Sequence, residues 1–419
     1  MDKLREACGV FGIYGNEENK DIGRTVYYGL YALQHRGQES AGIAVTSGKG
    51  IKYHKGMGLV SEVFDDKILN DLYGNIALGH VRYATAGSNT LINAQPLVVR
   101  YKKGYLAVAH NGNLVNSMEL RKELEEEGMA FQTEIDSEVV AFLISRFHDE
   151  SIIEAVKICR DKIRGSYAFI IMTEDKLIGM RDPHGIRPLC LGKIEDSYVL
   201  ASESCALDTV DGEFIRDIYP GEIVIIDKSG VKSIRNDDNE KASLCVFEFV
   251  YFARPDSTID GRNIHMARWE AGKRLALEHP VEADLVIGVP DSGTAAGLGF
   301  ADQSGIPFAN GLMKNRYVGR TFIKPSQDLR LVGVKIKLNA VKEVVSGKRV
   351  VMVDDSIVRG TTSGQIVKML REAGAKEVHV RVSSPPVIDS CYFGIDTSTQ
   401  KELIGAQRKI EEIREHIGA

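Results

Sequence analysis

The stretch VVMVDDSIVRGTTSG, residues 350–364, decides the fold of the second half of the chain. Its first four residues are apolar and predict a buried strand. Asp354 and Asp355 stand at the carboxyl end of that strand, and small residues lead into a helix that we expect to begin near residue 363 or 364. Ligands bind at the carboxyl ends of strands in an open α/β sheet. A well-capped strand–helix connection is the alternative, and the two adjacent acids make it the poorer interpretation.

Two loops that suit anions accompany the two acids. N–H groups and hydroxyls at the start of the predicted helix come from Gly360, Thr361, Thr362 and Ser363. A second Gly-rich loop, GVPDSGTAAG (288–297), offers Asp291, Ser292, Gly293 and Thr294. Two such loops indicate a ligand with phosphates at both ends. The adjacent acids would then bind its ribose hydroxyls, or Mg²⁺ held jointly with a diphosphate.

Basic residues are concentrated between these loops, in residues 313–339. They are Lys314, Arg316, Arg320, Lys324, Arg330, Lys335 and Lys337. A run of charges is most often a solvated face, and we expect that for several of them. Because the segment connects two phosphate loops, it also predicts a mobile lid whose cations meet the diphosphate.

The segments around this stretch predict a doubly wound α/β domain over residues 244–400. ADLVIGVPDSG, GKRVVMVDDS and KEVHVRVSSPP are strands of nearly continuous apolar character, which is typical of a parallel sheet covered on both faces. The polar stretch RNDDNEKAS (235–243) predicts the domain boundary. Residues 401–419 predict one closing helix.

The first domain, residues 8–235, has a different pattern. Helices are predicted over 22–34, 116–128, 136–147 and 151–165. Short strands joined by turn residues follow, which is typical of antiparallel hairpins. Together these segments predict an α+β sandwich.

Composition excludes several classes of protein. The chain has 419 residues and a net charge of −5, so no overall basic field would draw it to nucleic acid or a membrane surface. No signal peptide or spanning segment is recognisable, which predicts a cytoplasmic protein. Its six cysteines form no CxxC and no regular spacing, which argues against a disulfide framework or a zinc ribbon.

Four polar motifs support a functional role for Cys8: LQHRGQESAGI (33–43), GHVRYAT (79–85), HNGNL (110–114) and EIDSE (134–138). Arg36 and Arg82 could clamp a carboxylate. Asn111 and Gly112 supply an amide and a backbone N–H, the parts of an oxyanion hole. Asp136 could pair with an α-ammonium. A thiol among such groups predicts amide hydrolysis of glutamine.

The sequence offers no convincing side-chain base for this thiol. His35, His80 and His110 lie inside the motifs, and we expect them to pack or hydrogen-bond within their turns. An N-terminal nucleophile uses its own α-amino group, whose pKa of about 8 suits proton transfer near neutrality. That amine exists only after the bond before Cys8 is cut. Residues 1–7 are therefore expected to be a propeptide, removed by self-cleavage.

VVMVDDSIVRGTTS resembles the signature of type I phosphoribosyltransferases. The resemblance implies a doubly wound domain that binds 5-phosphoribosyl 1-diphosphate (PRPP) and Mg²⁺, with Ser292, Asp354 and Asp355 at the metal. The PRPP-binding residues it implies are Asp291, Ser292, Gly293, Lys314, Arg316, Asp354, Asp355, Ser356, Arg359, Gly360, Thr361, Thr362 and Ser363.

CGVFGIYG, QHRGQESAGI, GHVRYAT and HNGNLVN resemble class II glutamine amidotransferase domains. This resemblance implies a four-layer αββα sandwich of the N-terminal nucleophile (Ntn) hydrolase type, with Thr85 among the glutamine-binding residues. Joined in this order, with YFARPDS and SSPP, the two domains resemble glutamine-dependent amidotransferases that act on PRPP. The family forms 5-phosphoribosylamine, diphosphate and glutamate in the first committed step of purine synthesis. It also implies a homotetramer inhibited by purine nucleotides.

Some relatives of this kind hold a [4Fe–4S] cluster on four cysteines, of which Cys245 and Cys391 match two. The other two belong to a C-terminal segment that does not occur in this sequence. Either the sequence is truncated or the protein lacks the cluster. Two other classes are alternatives: a sugar-phosphate aminotransferase, which would carry isomerase repeats, and a regulatory binding protein, which has no use for a glutamine site.

Overall fold

Two antiparallel sheets face each other in the first half of the computed structural model. The structure describes residues 8–19, 21–83, 88–235, 242–316, 337–395 and 399–419, and only the backbone of 16–19. The strands of this half are β1 (Gly9–Asn19), β2 (Ser40–Thr46), β3 (Ile51–Met57), β4 (Gly74–Arg82), β5 (Leu97–Tyr101), β6 (Gly104–Leu114), β7 (Gly165–Met172), β8 (Leu177–Arg181), β9 (Cys190–Ile194), β10 (Ser197–Ala201), β11 (Glu213–Asp217), β12 (Ile223–Asp227) and β13 (Gly230–Ile234). One sheet has the order β11-β9-β10-β1-β4-β2-β3 and the other β13-β12-β8-β7-β6-β5.

Helices cover the outer faces of both sheets. They are α1 (Ile22–Ala32), α2 (Val60–Val63), α3 (Asp66–Asp71), α4 (Ser117–Glu126), α5 (Ser137–Phe147), α6 (Ile152–Lys162) and α7 (Cys205–Asp208), with a 3₁₀ turn at Leu91–Asn93. Helices α1, α2, α3 and α7 pack on the first sheet, and α4, α5 and α6 on the second. The predicted four-layer αββα sandwich is confirmed.

Side-chain alternation along β1 shows how the sequence builds these layers. Val10 and Tyr14 point into the core between the two sheets, while Phe11 and Ile13 point toward the helices. Helix α1 comes so close that a Cβ on Gly29 would lie 2.5 Å from the Phe11 ring. A glycine is therefore required where this helix crosses the strand.

The second half is built on a parallel sheet of order β16-β19-β20. The strands are β14 (Thr258–Ile259), β15 (Arg262–Asn263), β16 (Leu285–Gly288), β17 (Leu312–Lys314), β18 (Leu338–Ala340), β19 (Arg349–Asp354) and β20 (Glu377–Val382). The helices are α8 (Ile264–Glu278), α9 (Gly293–Ser304), α10 (Lys342–Val345), α11 (Thr361–Glu372), α12 (Ile404–Gln407) and α13 (Ile410–Ile417), with a π-helical turn at Glu248–Phe252 and a 3₁₀ turn at Gln400–Glu402.

Successive residues of β19 face opposite sides of this sheet. Val350 and Met352 pack with α11, while Val351 and Val353 pack with α8 and α9. The sheet is thus covered on both faces, and the predicted doubly wound domain is confirmed. Helix α11 begins at Thr361, slightly earlier than the sequence suggested.

The single closing helix predicted over 401–419 is wrong in detail. The chain forms a 3₁₀ turn followed by α12 and α13, and Arg408 between the two helices is extended, with φ −138° and ψ 148°. The side chain of Glu412 accepts the backbone N–H of Lys409 and so caps the start of α13. The amphipathic pattern continues through the break, which is why sequence alone did not locate it.

Candidate active sites

Cys8 lies immediately before β1 and is buried at one end of the first sheet. Its Sγ donates to the Tyr83 carbonyl at 3.3 Å, and the Tyr83 N–H donates to Sγ at 3.5 Å. Burial raises the pKa of the thiol above its ordinary value, while the Tyr83 backbone and the Arg82 guanidinium oppose that rise. The thiol is therefore protonated near neutral pH, and a base must take its proton when it attacks.

Arg82 and Asp136 are close enough to this thiol for their charges to act on it. Both are buried, and their charges act in opposite directions on the pKa of Cys8. Burial disfavours ionisation of Asp136, but His110 and the backbone N–H of Leu114 outweigh it, so the pKa of Asp136 lies below its ordinary value. A guanidinium and an ionised carboxylate can together receive the α-carboxylate and α-ammonium of an amino acid.

Asn111 and Gly112 occupy β6. Asn111 is 0 % exposed, and among the described residues neither its Oδ1 nor its Nδ2 has a hydrogen-bond partner. Gly112 has a φ of +140°, and a Cβ there would lie 2.1 Å from the Ser166 carbonyl oxygen. Burying an amide without partners costs about 1–3 kcal/mol. A buried amide held at that cost is suited to bind a substrate atom.

All three histidines contact other segments of the chain, His110 through Asp136, where the sequence predicted contacts within their own turns. His35 lies 3.2 Å from the Ala32 carbonyl in its turn, but its Nε2 also lies 2.7 Å from the Glu203 carboxylate. His80 Nε2 lies 2.9 Å from the carbonyl oxygen of His110 and so joins the two sheets. Burial lowers the pKa of His80 to about 3, so its imidazole is neutral.

The other two residues predicted to bind glutamine are Thr85 and Arg36. Thr85 lies outside the described residues. Arg36 is buried, but its guanidinium binds the protein's own carboxylates: Nε donates to Glu203, and Nη2 donates to Glu248 at 2.6 Å. The two arginines that sequence motifs treated as equivalent therefore differ, since the guanidinium of Arg36 is taken up by the protein's own carboxylates.

In the second domain, Asp354 and Asp355 are buried at the end of β19. The Ser292 hydroxyl, from the other Gly-rich loop, donates to Asp355, as does the Ser356 hydroxyl at 2.5 Å. The loops are in close contact, since a Cβ on Gly293 would lie 2.5 Å from the carbonyl oxygen of Val353. The structure thus joins the two loops that sequence analysis singled out.

The first turn of α11 lies beside these acids. Gly360 has a φ of +82°, which an L side chain rarely adopts, and it turns the chain into the helix. A small cavity there is lined by Asp354, Ser356, Ile357, Val358, Gly360, Thr362 and Ser363. Backbone N–H groups of the first helical turn and hydroxyls at one cavity are the donors that a phosphate requires.

The predicted cations near this site differ in their surroundings. Lys314 Nζ donates to Asp291 at 2.6 Å, and both side chains are substantially exposed. Arg359 Nη2 donates to Glu402 at 3.1 Å, which ties the phosphate loop to the C-terminal segment. Arg316 is exposed, and residues 317–336, which contain most of the predicted lid, lie outside the described part of the chain.

The side chains present fit a magnesium ion but not an iron–sulfur cluster. Asp354, Asp355 and Ser292 offer the oxygen ligands that Mg²⁺ prefers, so they fit the ion. Cys245 and Cys391 pack around one apolar cluster, but the cysteines at 159, 190 and 205 are buried in the first domain's cores. Within the described residues no group of three or more metal-binding side chains occurs. The residues present therefore do not fit a four-thiolate cluster.

A buried ion network that the motifs did not reveal joins the domains. Glu248 accepts from Arg36 and, at 2.9 Å, from Arg187, and all three are buried. Glu203 accepts from Arg36 and from the Ser257 hydroxyl at 2.6 Å. The charges of Arg36 and His35, with hydrogen bonds from His35 and Ser257, hold the pKa of Glu203 below its ordinary value in spite of burial. The available signal was a pair of acids inside apolar runs, LASES and CVFEFVYF.

Residues 391–394 of the second domain lie against β6 and β7 of the first. The carbonyl oxygen of Phe393 accepts from Ser166 Oγ and from Arg187 Nη2, each at 2.6 Å. The Tyr392 carbonyl accepts from Asn113 Nδ2 at 2.9 Å. A Cβ on Gly394 would lie 2.9 Å from the carbonyl carbon of Gly112.

A thiol site on an αββα sandwich, joined to a sugar-phosphate site on a parallel sheet, defines a two-domain glutamine amidotransferase. Comparison with known proteins agrees: a family model described as a glutamine amidotransferase domain matches residues 80–209. In the described part of the chain no helix is long and apolar enough to cross a membrane.

Relatives cover nearly the whole chain. The amidophosphoribosyltransferase of Bacillus subtilis (strain 168) is 55% identical over 417 residues, covering 99% of this chain and 87% of the relative. That of Archaeoglobus fulgidus is 53% identical over 408 residues, covering 97% and 89%. A solved structure of the B. subtilis glutamine PRPP amidotransferase, complexed with ADP and GMP, superimposes with a TM-score of 0.92 at 54% identity and covers 98% of this chain and 89% of that one.

The chain belongs to the amidophosphoribosyltransferase family, the glutamine amidotransferases of purine biosynthesis. The family expected from the sequence motifs is confirmed.

Proposed function

We propose that this chain hydrolyses glutamine at Cys8 and transfers the ammonia to PRPP, giving 5-phosphoribosylamine, diphosphate and glutamate. The observation that carries the first half is the buried Cys8 thiol, hydrogen-bonded to Tyr83 next to Arg82 and acted on by the charges of Arg82 and Asp136. A buried Asn111 amide that has no described partner supports it. The second half rests on paired buried acids beside a phosphate-binding helix start.

In the first site, Arg82 binds the α-carboxylate of glutamine and Asp136 its α-ammonium. Cys8 Sγ attacks the side-chain amide carbon, and Asn111 Nδ2 and the Gly112 N–H stabilise the oxyanion. The C–N bond breaks, ammonia leaves with the proton that the thiol gave up, and a glutamyl thioester remains. Water then attacks the thioester, releasing glutamate and restoring the thiol.

The base in this scheme is the α-amino group of Cys8, which takes the thiol proton and delivers it to the leaving nitrogen. Because burial raises the pKa of the thiol, a base of matching pKa is needed. Removal of residues 1–7 supplies that amine, and we propose that the chain removes them itself.

In the second site, Asp354 and Asp355 hold the ribose hydroxyls of PRPP, and Gly360, Thr361, Thr362 and Ser363 hold its 5-phosphate. Ser356 and Arg359 border that phosphate. Asp291, Ser292, Gly293, Lys314 and Arg316 face the diphosphate. Mg²⁺ held by Ser292, Asp354 and Asp355 would neutralise negative charge on the departing diphosphate. Ammonia displaces diphosphate from C1, and it must arrive unprotonated, which calls for a sheltered path between the domains.

Further proposals follow from the family. A homotetramer stays a proposal that rests on the resemblance of the sequence motifs, and inhibition by purine nucleotides is proposed by analogy with the relative that is complexed with ADP and GMP. A cytoplasmic location also stays a proposal.

The proposal is tested by Cys8→Ala. The variant should lose glutamine-dependent formation of phosphoribosylamine and keep the reaction driven by added ammonia, because only the first site loses its nucleophile. Asp354→Asn should lose both synthetic reactions and retain glutamine hydrolysis. Equal loss of glutamine- and ammonia-driven synthesis in Cys8→Ala would contradict the two-site scheme.

Intact mass of the purified protein tests the nucleophile assignment separately. Loss of residues 1–7 in the parent and their retention in Cys8→Ala is the expected result. An active enzyme that keeps all seven residues would overturn the proposed base. Stimulation of glutamine hydrolysis by PRPP would separate this enzyme from a sugar-phosphate aminotransferase or a binding protein.

A further inference from the structure

Glu134 ties the loop after Arg82 to the segment that carries Asp136. The Glu134 carboxylate accepts from the backbone N–H of Ser88 at 2.6 Å, from the Ser88 hydroxyl at 2.7 Å and from Asn93 Nδ2 at 3.3 Å. In return the Glu134 N–H donates to Asn93 Oδ1 at 3.1 Å. Three groups on one carboxylate, with a return bond, fix one loop to another.

The far side of this contact reaches Arg82. The carbonyl oxygen of Ser88 accepts from Arg82 Nη1 at 3.4 Å and from Asn93 Nδ2 at 2.9 Å. Ser88 therefore lies between the Glu134 carboxylate and the guanidinium that is proposed to bind the glutamine carboxylate. A shift of Ser88 moves an acceptor of Arg82.

The near side of the contact reaches Asp136, two residues along the chain. The Asp136 carboxylate accepts the Leu114 N–H at 2.9 Å and lies 3.3 Å from His110 Nδ1. The turn before it is held by Glu138, whose carboxylate accepts the N–H and hydroxyl of Thr133 at 2.8 Å and 2.6 Å. Several hydrogen bonds thus hold the segment that carries Asp136. Glu134, in the same segment, connects it through Ser88 to Arg82.

We propose that Glu134 is a positioning residue that sets the separation of Arg82 and Asp136, and through it the preference for a substrate with both an α-carboxylate and an α-ammonium. The inference rests on the proposed glutamine site. Hydrogen bonds from Ser88 and Asn93 hold the pKa of the Glu134 carboxyl below its ordinary value, so it stays ionised across the neutral range. Because the side chain is exposed, replacing it leaves the core intact.

Glu134→Gln tests this with little change of shape. All three donors on Ser88 and Asn93 bond to one oxygen of Glu134, Oε2, and the neutral amide oxygen that would replace it is a weaker acceptor than a carboxylate, so the contact should loosen. We expect KM for glutamine to rise about tenfold, with kcat at saturating glutamine and ammonia-driven synthesis little changed. Glu119→Gln is the matched control, since Glu119 is an exposed glutamate on α4, and it should leave all constants at parent values.

Two amides distinguish positioning from general damage. Glutaramate lacks the α-ammonium, and 4-aminobutanamide lacks the carboxylate. Glu134→Gln should lower kcat/KM for glutamine but leave kcat/KM for 4-aminobutanamide unchanged, because that amide has no carboxylate for Arg82 to bind. An equal fall for all three amides, or an unchanged KM for glutamine, would overturn the proposal.

Arg82→Lys and Asp136→Asn separate this inference from the proposed function. If neither variant raises KM for glutamine, the glutamine site itself is misassigned. If both raise it and Glu134→Gln does not, the site stands and the role of Glu134 alone fails.

Discussion

Replacing Asn111 should lower activity without lowering stability. Its amide is buried without a described partner, so Asn111→Leu, of similar shape, removes an uncompensated polar group. We expect glutamine-dependent kcat to fall about 10²–10³-fold, as for loss of one oxyanion donor. The melting temperature should equal or exceed that of the parent.

Thermal unfolding and steady-state kinetics on the same preparation check this, with ammonia-driven synthesis as the internal control. A variant that melts earlier yet keeps its glutamine turnover would show that Asn111 has a packing role instead.

Residue-scale chemistry was predictable where a short motif contained all the partners. Asp354 and Asp355 follow their strand directly, and the small residues of the phosphate loop lie within ten positions. Arg36 was not predictable, because its partners Glu203 and Glu248 lie 167 and 212 positions further along the chain. A motif shows that an arginine stands at the end of an element, but only the fold shows which carboxylate it meets.

At the scale of elements, the end of β11 meets the β14–β15 hairpin through two acids and one arginine. Arg181 donates to Asp260 through Nη1 and Nη2 at 2.8 Å and 2.9 Å. Burial, with the nearby Asp260 charge, raises the pKa of Asp217 from its ordinary value to about 6. The folded protein thus binds a proton at Asp217 more tightly than the unfolded chain does.

Stability should therefore fall as pH rises between about 4 and about 6, the interval between the unfolded and folded pKa values of Asp217. Asp217→Asn removes the charge. We expect it to stabilise the protein by about 1–2 kcal/mol above pH 6, with allowance for solvent screening, and to have no effect below about pH 4. Urea unfolding midpoints of parent and variant across this interval give the measurement. A constant difference at every pH would assign the effect to packing.

Element boundaries followed the same pattern of success. Helices α1, α4, α5 and α6 appear within about three residues of their predicted ends, since apolar periodicity and start signals are local. The C-terminal segment was predicted as one helix, yet it divides into α12 and α13. The C-terminal segment packs against the residues that precede α11, since a Cβ on Gly360 would lie 2.9 Å from the Ile404 side chain. Periodicity carries no information on such a contact.

At the scale of the whole molecule, Gly394 of the second domain packs against Gly112 of β6, whose N–H is proposed to stabilise the oxyanion. Its φ of +89° and the 2.9 Å approach of a Cβ to Gly112 mean that Gly394→Ala must displace one of the two backbones. We expect glutamine hydrolysis to fall about tenfold or more, since misplacing an oxyanion donor is costly. Ammonia-driven synthesis should be largely retained.

Gly128→Ala is the matched control. Gly128 has a φ of +90°, but no atom lies within 4 Å of a Cβ built there. Both variants bear a backbone cost of about 1–2 kcal/mol, and only Gly394→Ala should lose glutaminase activity. An equal effect of the two would mean that backbone strain, rather than the contact with Gly112, is responsible.

The buried ion network around Arg36 limits where the chain can be cut to make fragments or chimeric proteins. A fragment cut at residue 235 would keep Arg36 and Arg187 but lose Glu248 and the Phe393 carbonyl, which both come from beyond the cut. Removing one partner of a buried ion pair costs about 3–5 kcal/mol. The amide-hydrolysing domain therefore cannot be transferred intact to another protein by cutting the chain at the polar boundary, residues 235–243. A chimera that borrows it would have to bring residues 242–263 and 391–394 as well, so these short segments travel with the first domain although they lie in the second.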